Sequence, residues 1–154
     1  MSPSDFRSQF MPFAIEVQTI YGLPAAAVLA QAALETGWGQ YIAKDIITGK
    51  SSNNFFNIKA RSNWTGEFIT KDTRECINGV WSTVSAKFRA YPSPRESFLD
   101  YGYFILHGSN GRYDDAVANV NDPEKYVEEM WKAGYATDPK YVQKILSIMR
   151  KYFS

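Results

Sequence analysis

Glu35 ends an alanine-rich run, Ala26-Ala27-Val28-Leu29-Ala30-Gln31-Ala32-Ala33-Leu34-Glu35, and is followed at once by Thr36-Gly37-Trp38-Gly39. A carboxyl group there has a leucine before it, an indole after it and the end of a helix beneath it. Apolar neighbours penalise the charged form, and the negative end of a helix dipole repels an anion. Such a group keeps its proton to higher pH than a surface glutamate does, which is what a general acid needs. Read locally, the same residue also fits a solvated helix end, where the unfavourable dipole costs about a few tenths of a kcal/mol. A second carboxylate, Glu75, lies just before Asn78-Gly79. Alternation puts it on one strand face with Thr73 and Ile77, away from Arg74 and Cys76. Spacing alone makes it a solvated strand residue.

Other chemistries are narrowed by what is scarce. One cysteine, Cys76, excludes an intrachain disulfide and a cysteine metal cluster, and one histidine, His107, excludes a multi-histidine site. No motif supports these two as a nucleophilic pair. Neither a metal nor a cofactor is expected.

The elements that must position Glu35 are legible from caps and periodicity. Ser2-Pro3 reads as an N-cap with proline at the first helical position, and Phe6, Phe10, Phe13, Val17 and Ile20 form an apolar stripe closed by Gly22. Pro12 is expected to kink or restart that helix. Pro24 opens the helix that carries Glu35. Residues 41–66 are rich in Ser, Asn and Gly and read as irregular; within them Trp64 fits either packing or a binding wall, and Phe56 fits packing. Asn78-Gly79 between 73–77 and 80–88 signals a hairpin. Ser93-Pro94-Arg95-Glu96 fits a capping box, Asp122-Pro123 opens a helix closed by Gly134, and Asp138-Pro139 opens the last one.

At 154 residues the chain fits one domain, 1–154. Seventeen basic against sixteen acidic residues give a net charge of +1. With neither a basic stripe nor a nucleic-acid motif, no nucleic-acid partner is expected. Aromatic residues make up 16% of the chain, with ten Tyr and four Trp, and these are also the usual lining of grooves that bind sugars. No apolar run is long enough to span a bilayer, so no membrane insertion is expected. Met1-Ser2-Pro3-Ser4-Asp5 lacks the basic and apolar regions of a secretory signal. The expectation is export by another route, or a domain cut from a longer chain.

Several motifs in order resemble one family. Ala30-Gln31-Ala32-Ala33-Leu34-Glu35-Thr36-Gly37-Trp38-Gly39-Gln40 closely resembles the catalytic-helix signature of glycoside hydrolase family 73, the bacterial peptidoglycan-cleaving N-acetylglucosaminidases. Asn54-Phe55-Phe56-Asn57-Ile58-Lys59-Ala60 is similar to the family's next motif. Trp64-Thr65-Gly66, Phe88-Arg89-Ala90-Tyr91, Arg112-Tyr113 and Ala133-Gly134-Tyr135-Ala136-Thr137-Asp138-Pro139 follow in the family's order. The likeness runs over nearly the whole chain. One departure is Asn57, where the family often has glycine; an amide side chain tolerates a left-handed backbone better than most.

The resemblance implies an α+β, lysozyme-like fold, with a mainly helical lobe, a small β-hairpin lobe and a substrate groove between them. It implies Glu35 as general acid, Glu75 as possible general base and Tyr135 as the third catalytic residue. Trp38, Asn54, Phe56, Trp64 and Tyr113 are the implied substrate contacts. The substrate would be the glycan strand of peptidoglycan, cut by a monomer at the β-1,4 bond between N-acetylglucosamine and N-acetylmuramic acid, so the chain is expected to act at the bacterial cell wall. The alternatives are a muramidase or lytic transglycosylase on the same fold, or a glycan-binding module without turnover.

Overall fold

The computed structural model describes residues 1–154, apart from the side chains of Glu75 and Cys76. Helix α1 spans Pro3–Tyr21, and Ser2 caps it by accepting from the Asp5 backbone N–H at 3.1 Å. Phe6, Phe10, Ala14 and Val17 fall on its buried face, the spacing of an amphipathic helix. The expected break at Pro12 is absent, and α1 runs through it. Pro12 and Ser8, whose carbonyl loses its usual partner, both lie on the exposed face, where solvent can serve that oxygen. Ile20 falls outside the apolar stripe and is 57% exposed.

Helix α2, Ala25–Thr36, is buried along almost its whole length from Ala27 to Ala33. A helix that is apolar nearly all round belongs at the centre of a bundle, and α2 packs against α1 as well as two later helices, α5 (Pro123–Lys132) and α6 (Tyr141–Tyr152). Small alanine side chains allow this close approach. The chain between α2 and the hairpin is irregular, as expected, with isolated bridges at Lys44–Ser51 and Lys59–Phe88. Asp45 fastens it to the sheet by accepting from the Thr70, Ile47 and Thr48 backbone N–H groups, which lower its carboxyl to about 2.

Strands β1 (Phe68–Ile77) and β2 (Val80–Arg89) form one antiparallel hairpin, in register from Phe68–Arg89 to Ile77–Val80. At its turn Asn78 and Gly79 have φ of 52° and 78°, the pair of positive values that a tight two-residue hairpin turn requires. Both strands extend further from the turn than the apolar pattern suggested. The added residues, from Phe68 in β1 and Arg89 in β2, lie at the base of the ribbon, where the irregular segment joins it through Asp45 accepting from the Thr70 N–H. Among the described residues its base is the anchored part, with Ile69 and Phe88 packed against Ala43 and Ala90 in a small second core.

Helix α3 (Pro94–Tyr103) continues into a π-helical turn at Phe104–Gly108, and a short α4 (Asp114–Val117) precedes α5. The expected capping box at Ser93 differs in detail: its hydroxyl meets the Glu96 carboxylate and caps no backbone N–H. Asp122 does cap α5, accepting from the Lys125 N–H at 3.3 Å. The last helix, α6, begins at Tyr141 rather than at Pro139, because Asp138 spends its carboxylate on a tight turn, accepting from the Lys140 N–H at 2.9 Å. The main core lies in the helical lobe, where Phe10 and Phe55 rings meet at 4.7 Å and Phe98 packs beside both. Among the described residues, no helix is long and apolar enough to cross a membrane.

Candidate active site

The position of Glu35 follows from how α2 stops. Gly37 takes a left-handed φ of 54° and returns its N–H to the carbonyls of Ala33 and Leu34. That left-handed backbone favours glycine, and a Cβ there would also make the exposed Tyr41 ring, 2.6 Å away, shift. Glu35 therefore projects from the last turn of a central helix. Burial raises its pKa above the ordinary value of 4.5, and a hydrogen bond from Asn57 acts the other way with the smaller effect.

That hydrogen bond comes from a loop that folds around Asn54. The fully buried Asn54 amide donates to the carbonyls of Ile58 and Arg89, both at 3.0 Å. Its oxygen accepts from the Phe56 and Ile58 N–H groups, both at 3.2 Å. Asn57 can then take φ 53°, the left-handed turn its amide side chain was expected to tolerate. Its Nδ2 donates to Glu35 Oε2 at 2.9 Å and to the Glu35 carbonyl at 3.2 Å.

Tyr135 reaches the same place from the exit of α5. The Arg112 guanidinium fixes that exit by donating to the carbonyls of Ala133 at 2.8 Å and Gly134 at 3.0 Å. The Tyr135 ring meets those of Tyr113 and Tyr141 at 6.0 Å and stands edge-on to Tyr101 at 6.3 Å. Its hydroxyl is buried without a hydrogen-bond partner among the described residues. Burial, followed by Tyr141 and Glu35, holds the phenol far above its usual pKa, so Tyr135 is a neutral donor. A cavity of about 460 Å³, lined by Leu34, Glu35, Tyr135, Asp138, Tyr141 and Lys144 among others, opens here.

Behind it lies a polar chain that sequence reading missed. Gln31 Nε2 donates to the Tyr141 hydroxyl at 3.1 Å, the Tyr101 hydroxyl donates to Gln31 Oε1, and the Tyr101 and Tyr126 hydroxyls are 2.7 Å apart. The signal was present: Gln31 is a polar residue in an alanine run, four positions before Glu35 and so on its helix face.

The remaining expected contacts divide by location. Phe56 stacks on Tyr101 at 4.2 Å and Tyr113 is 3% exposed, so both support the tyrosine cluster. Asn54 shapes the loop. Trp38 turns into the core, edge-on to Phe6 at 5.5 Å and Tyr152 at 5.1 Å. Trp64 sits at the hairpin base, over the Arg89 guanidinium at 4.5 Å, with its Nε1 donating to the Glu67 carbonyl at 2.8 Å. Glu75 lies in β1 opposite Ser82, and its side chain is outside the described residues. A larger depression of about 620 Å³, lined by Asp45, Lys50, Glu67 and Phe68 among others, includes none of the expected site residues.

A mixed α+β domain with a half-buried acid at a helix end, beside a tyrosine-lined cavity, has the parts of a lysozyme-like glycoside hydrolase. Residues 11–154 match the glucosaminidase family, described as mannosyl-glycoprotein endo-beta-N-acetylglucosaminidase, and the chain belongs to that family, glycoside hydrolase family 73. It is 39% identical over 150 residues to the peptidoglycan hydrolase FlgJ of Vibrio parahaemolyticus, a match covering 97% of this chain and 47% of that protein. It is 32% identical over 136 residues to the exo-glucosaminidase LytG of Bacillus subtilis, covering 86% of this chain and 45% of that one. The chain thus spans about half the length of these curated relatives. Among solved structures, a C-terminally truncated glycoside hydrolase domain from Salmonella typhimurium FlgJ superposes with a TM-score of 0.79 at 36% identity, covering 97% of each chain. A peptidoglycan hydrolase mutant from Sphingomonas sp. A1 gives 0.80 at 36% identity, covering 96% of this chain and 92% of that one.

Proposed function

We propose that this domain hydrolyses the β-1,4 bond between N-acetylglucosamine and N-acetylmuramic acid in peptidoglycan, with Glu35 as general acid. The observation that carries the reading is the Glu35 carboxyl, raised by burial at the rim of a cavity it shares with Tyr135. Relatives named as peptidoglycan hydrolases support the choice of polymer.

Cleavage requires a proton on the leaving oxygen while positive charge develops on the sugar ring. Glu35 supplies that proton. Glu75 is the proposed base: its carboxylate would activate a water on the opposite face of the ring and invert the anomeric centre. Where no carboxylate serves, the substrate's own 2-acetamido oxygen attacks instead, and the neutral Tyr135 hydroxyl orients that group. Glu75→Gln separates the two routes, slowing turnover strongly only if its carboxylate is the base.

Mass spectrometry of fragments released from purified peptidoglycan tests the bond. Reducing N-acetylglucosamine ends are expected. Reducing N-acetylmuramic acid ends, or anhydro sugars, would replace the proposal with a muramidase or a lytic transglycosylase.

A further inference from the structure

Asn57 stands where the glucosaminidase pattern commonly has glycine, and here the position carries a side chain that reaches the acid. We propose that Asn57 is a positioning residue for Glu35: it fixes the transferable proton on Oε1 and stabilises the carboxylate left behind when that proton departs. This inference rests on Glu35 being the general acid.

The orientation of the Asn57 amide is set by its second partner. A backbone carbonyl only accepts, so the group 3.2 Å from the Glu35 carbonyl must be the amide NH2 and not its oxygen. The same nitrogen lies 2.9 Å from Oε2, and its two hydrogens serve the two acceptors separately. In the acid form the better acceptor is the carbonyl-type oxygen of the carboxyl group. Oε2 is therefore that oxygen, and the hydroxyl hydrogen resides on Oε1.

As the proton leaves Oε1 for the leaving oxygen, charge spreads to Oε2 and the Asn57 contact becomes charge-assisted, hence stronger. A contact that strengthens as the reaction proceeds lowers the barrier, whereas uniform binding does not. It also corrects a cost of burial. Desolvation favours the protonated form of Glu35 but makes it a weaker acid, and the amide offsets part of that loss.

Among the described residues, the other ionisable groups lining the cavity with Glu35 are Tyr135, Asp138, Tyr141 and Lys144. Tyr135 and Tyr141 are held protonated, chiefly by burial. Asp138 and Lys144, on the wall of the same cavity, neutralise one another across 2.6 Å. None of these replaces the amide as a donor to Oε2.

The test is the pH dependence of kcat and KM on soluble peptidoglycan fragments for the parent, Asn57→Gly, Asn57→Asp and Glu35→Gln. Glycine keeps the left-handed turn and removes the donor. Aspartate keeps both turn and shape but presents an acceptor in place of the donor. With glycine, the basic limb of the profile is expected to move up by about one pH unit, and kcat to fall roughly tenfold with KM little changed. With aspartate, the limb should move up at least as far. Thermal denaturation checks that both variants fold. A limb that stays at the parent position in both variants overturns the inference, even if their melting temperatures fall, since that pattern marks a purely structural side chain. Glu35→Gln keeps the two readings apart. An inactive Glu35→Gln beside unmoved limbs removes only the role of Asn57, whereas a fully active Glu35→Gln removes the acid itself.

Discussion

Burial and the Asn57 amide pull the Glu35 carboxyl in opposite directions, and burial is the stronger. The pKa in the folded chain lies above that of an unfolded glutamate, so between these two values the native state binds more protons. The resulting stability is fully present below the unfolded pKa and is lost as pH rises through the folded one. Glu35→Gln removes the charge without removing the hydrogen-bond acceptor. Its melting temperature at pH 7.5 should therefore exceed the parent's. The gap should close as the pH falls below 4.5, the ordinary glutamate value. Equal melting curves at both pH values would mean that burial imposes no penalty on the charged form. Tyr135→Phe removes a buried hydroxyl that has no hydrogen-bond partner among the described residues, so kcat should fall by roughly 10–100-fold while thermal stability holds or rises slightly. A variant that turns over like the parent would take Tyr135 out of the site. At this scale the raised carboxyl of Glu35 was legible, because a leucine beside a helix end is visible in one dimension. The Asn57 contact was not, since it depends on a left-handed turn held by Asn54 from the far side of the loop.

The elements are joined at a few charged points, and Arg89 is the most buried of them. It leaves the end of β2, donates to Asp100 on α3 at 2.9 Å, and lies between the faces of Trp64 and Phe104. Tyr91 adds its hydroxyl to the same carboxylate at 2.5 Å. Removing one partner of a buried pair strands the other, so Arg89→Ala should cost about 3–5 kcal/mol in urea unfolding. A loss comparable to that of the exposed Lys50–Glu67 pair, about 0–1 kcal/mol, would show that this junction does not hold the hairpin to the helices. The sequence marked the start of the hairpin turn and the capped starts of α1 and α5, because those signals are local. It misplaced the start of α6 and the effect of Pro12. In both cases tertiary surroundings decided: a side-chain turn at Asp138 and an exposed helix face at Pro12.

Across the whole molecule, α2 is the axis on which the site is organised. Its alanines let neighbouring helices close in, Gln31 ties it to tyrosines of α3 and α6, and its last turn presents Glu35 to the loop carrying Asn57. The α+β class and the two flanking helical regions could be read from caps, periodicity and ordered motifs. The tyrosine cluster could not, because Tyr101, Tyr113, Tyr126, Tyr135 and Tyr141 meet only once four separate segments have packed. That packing sets an acid at a helix end beside a tyrosine-lined cavity, and the proposal that this arrangement cleaves a glycan rests on Glu35. Lysis of purified peptidoglycan by Glu35→Gln, measured beside the parent with both shown to be folded, tests it most directly. Loss of lysis to background is expected, in a protein at least as stable as the parent. Full lysis by the folded variant would contradict it.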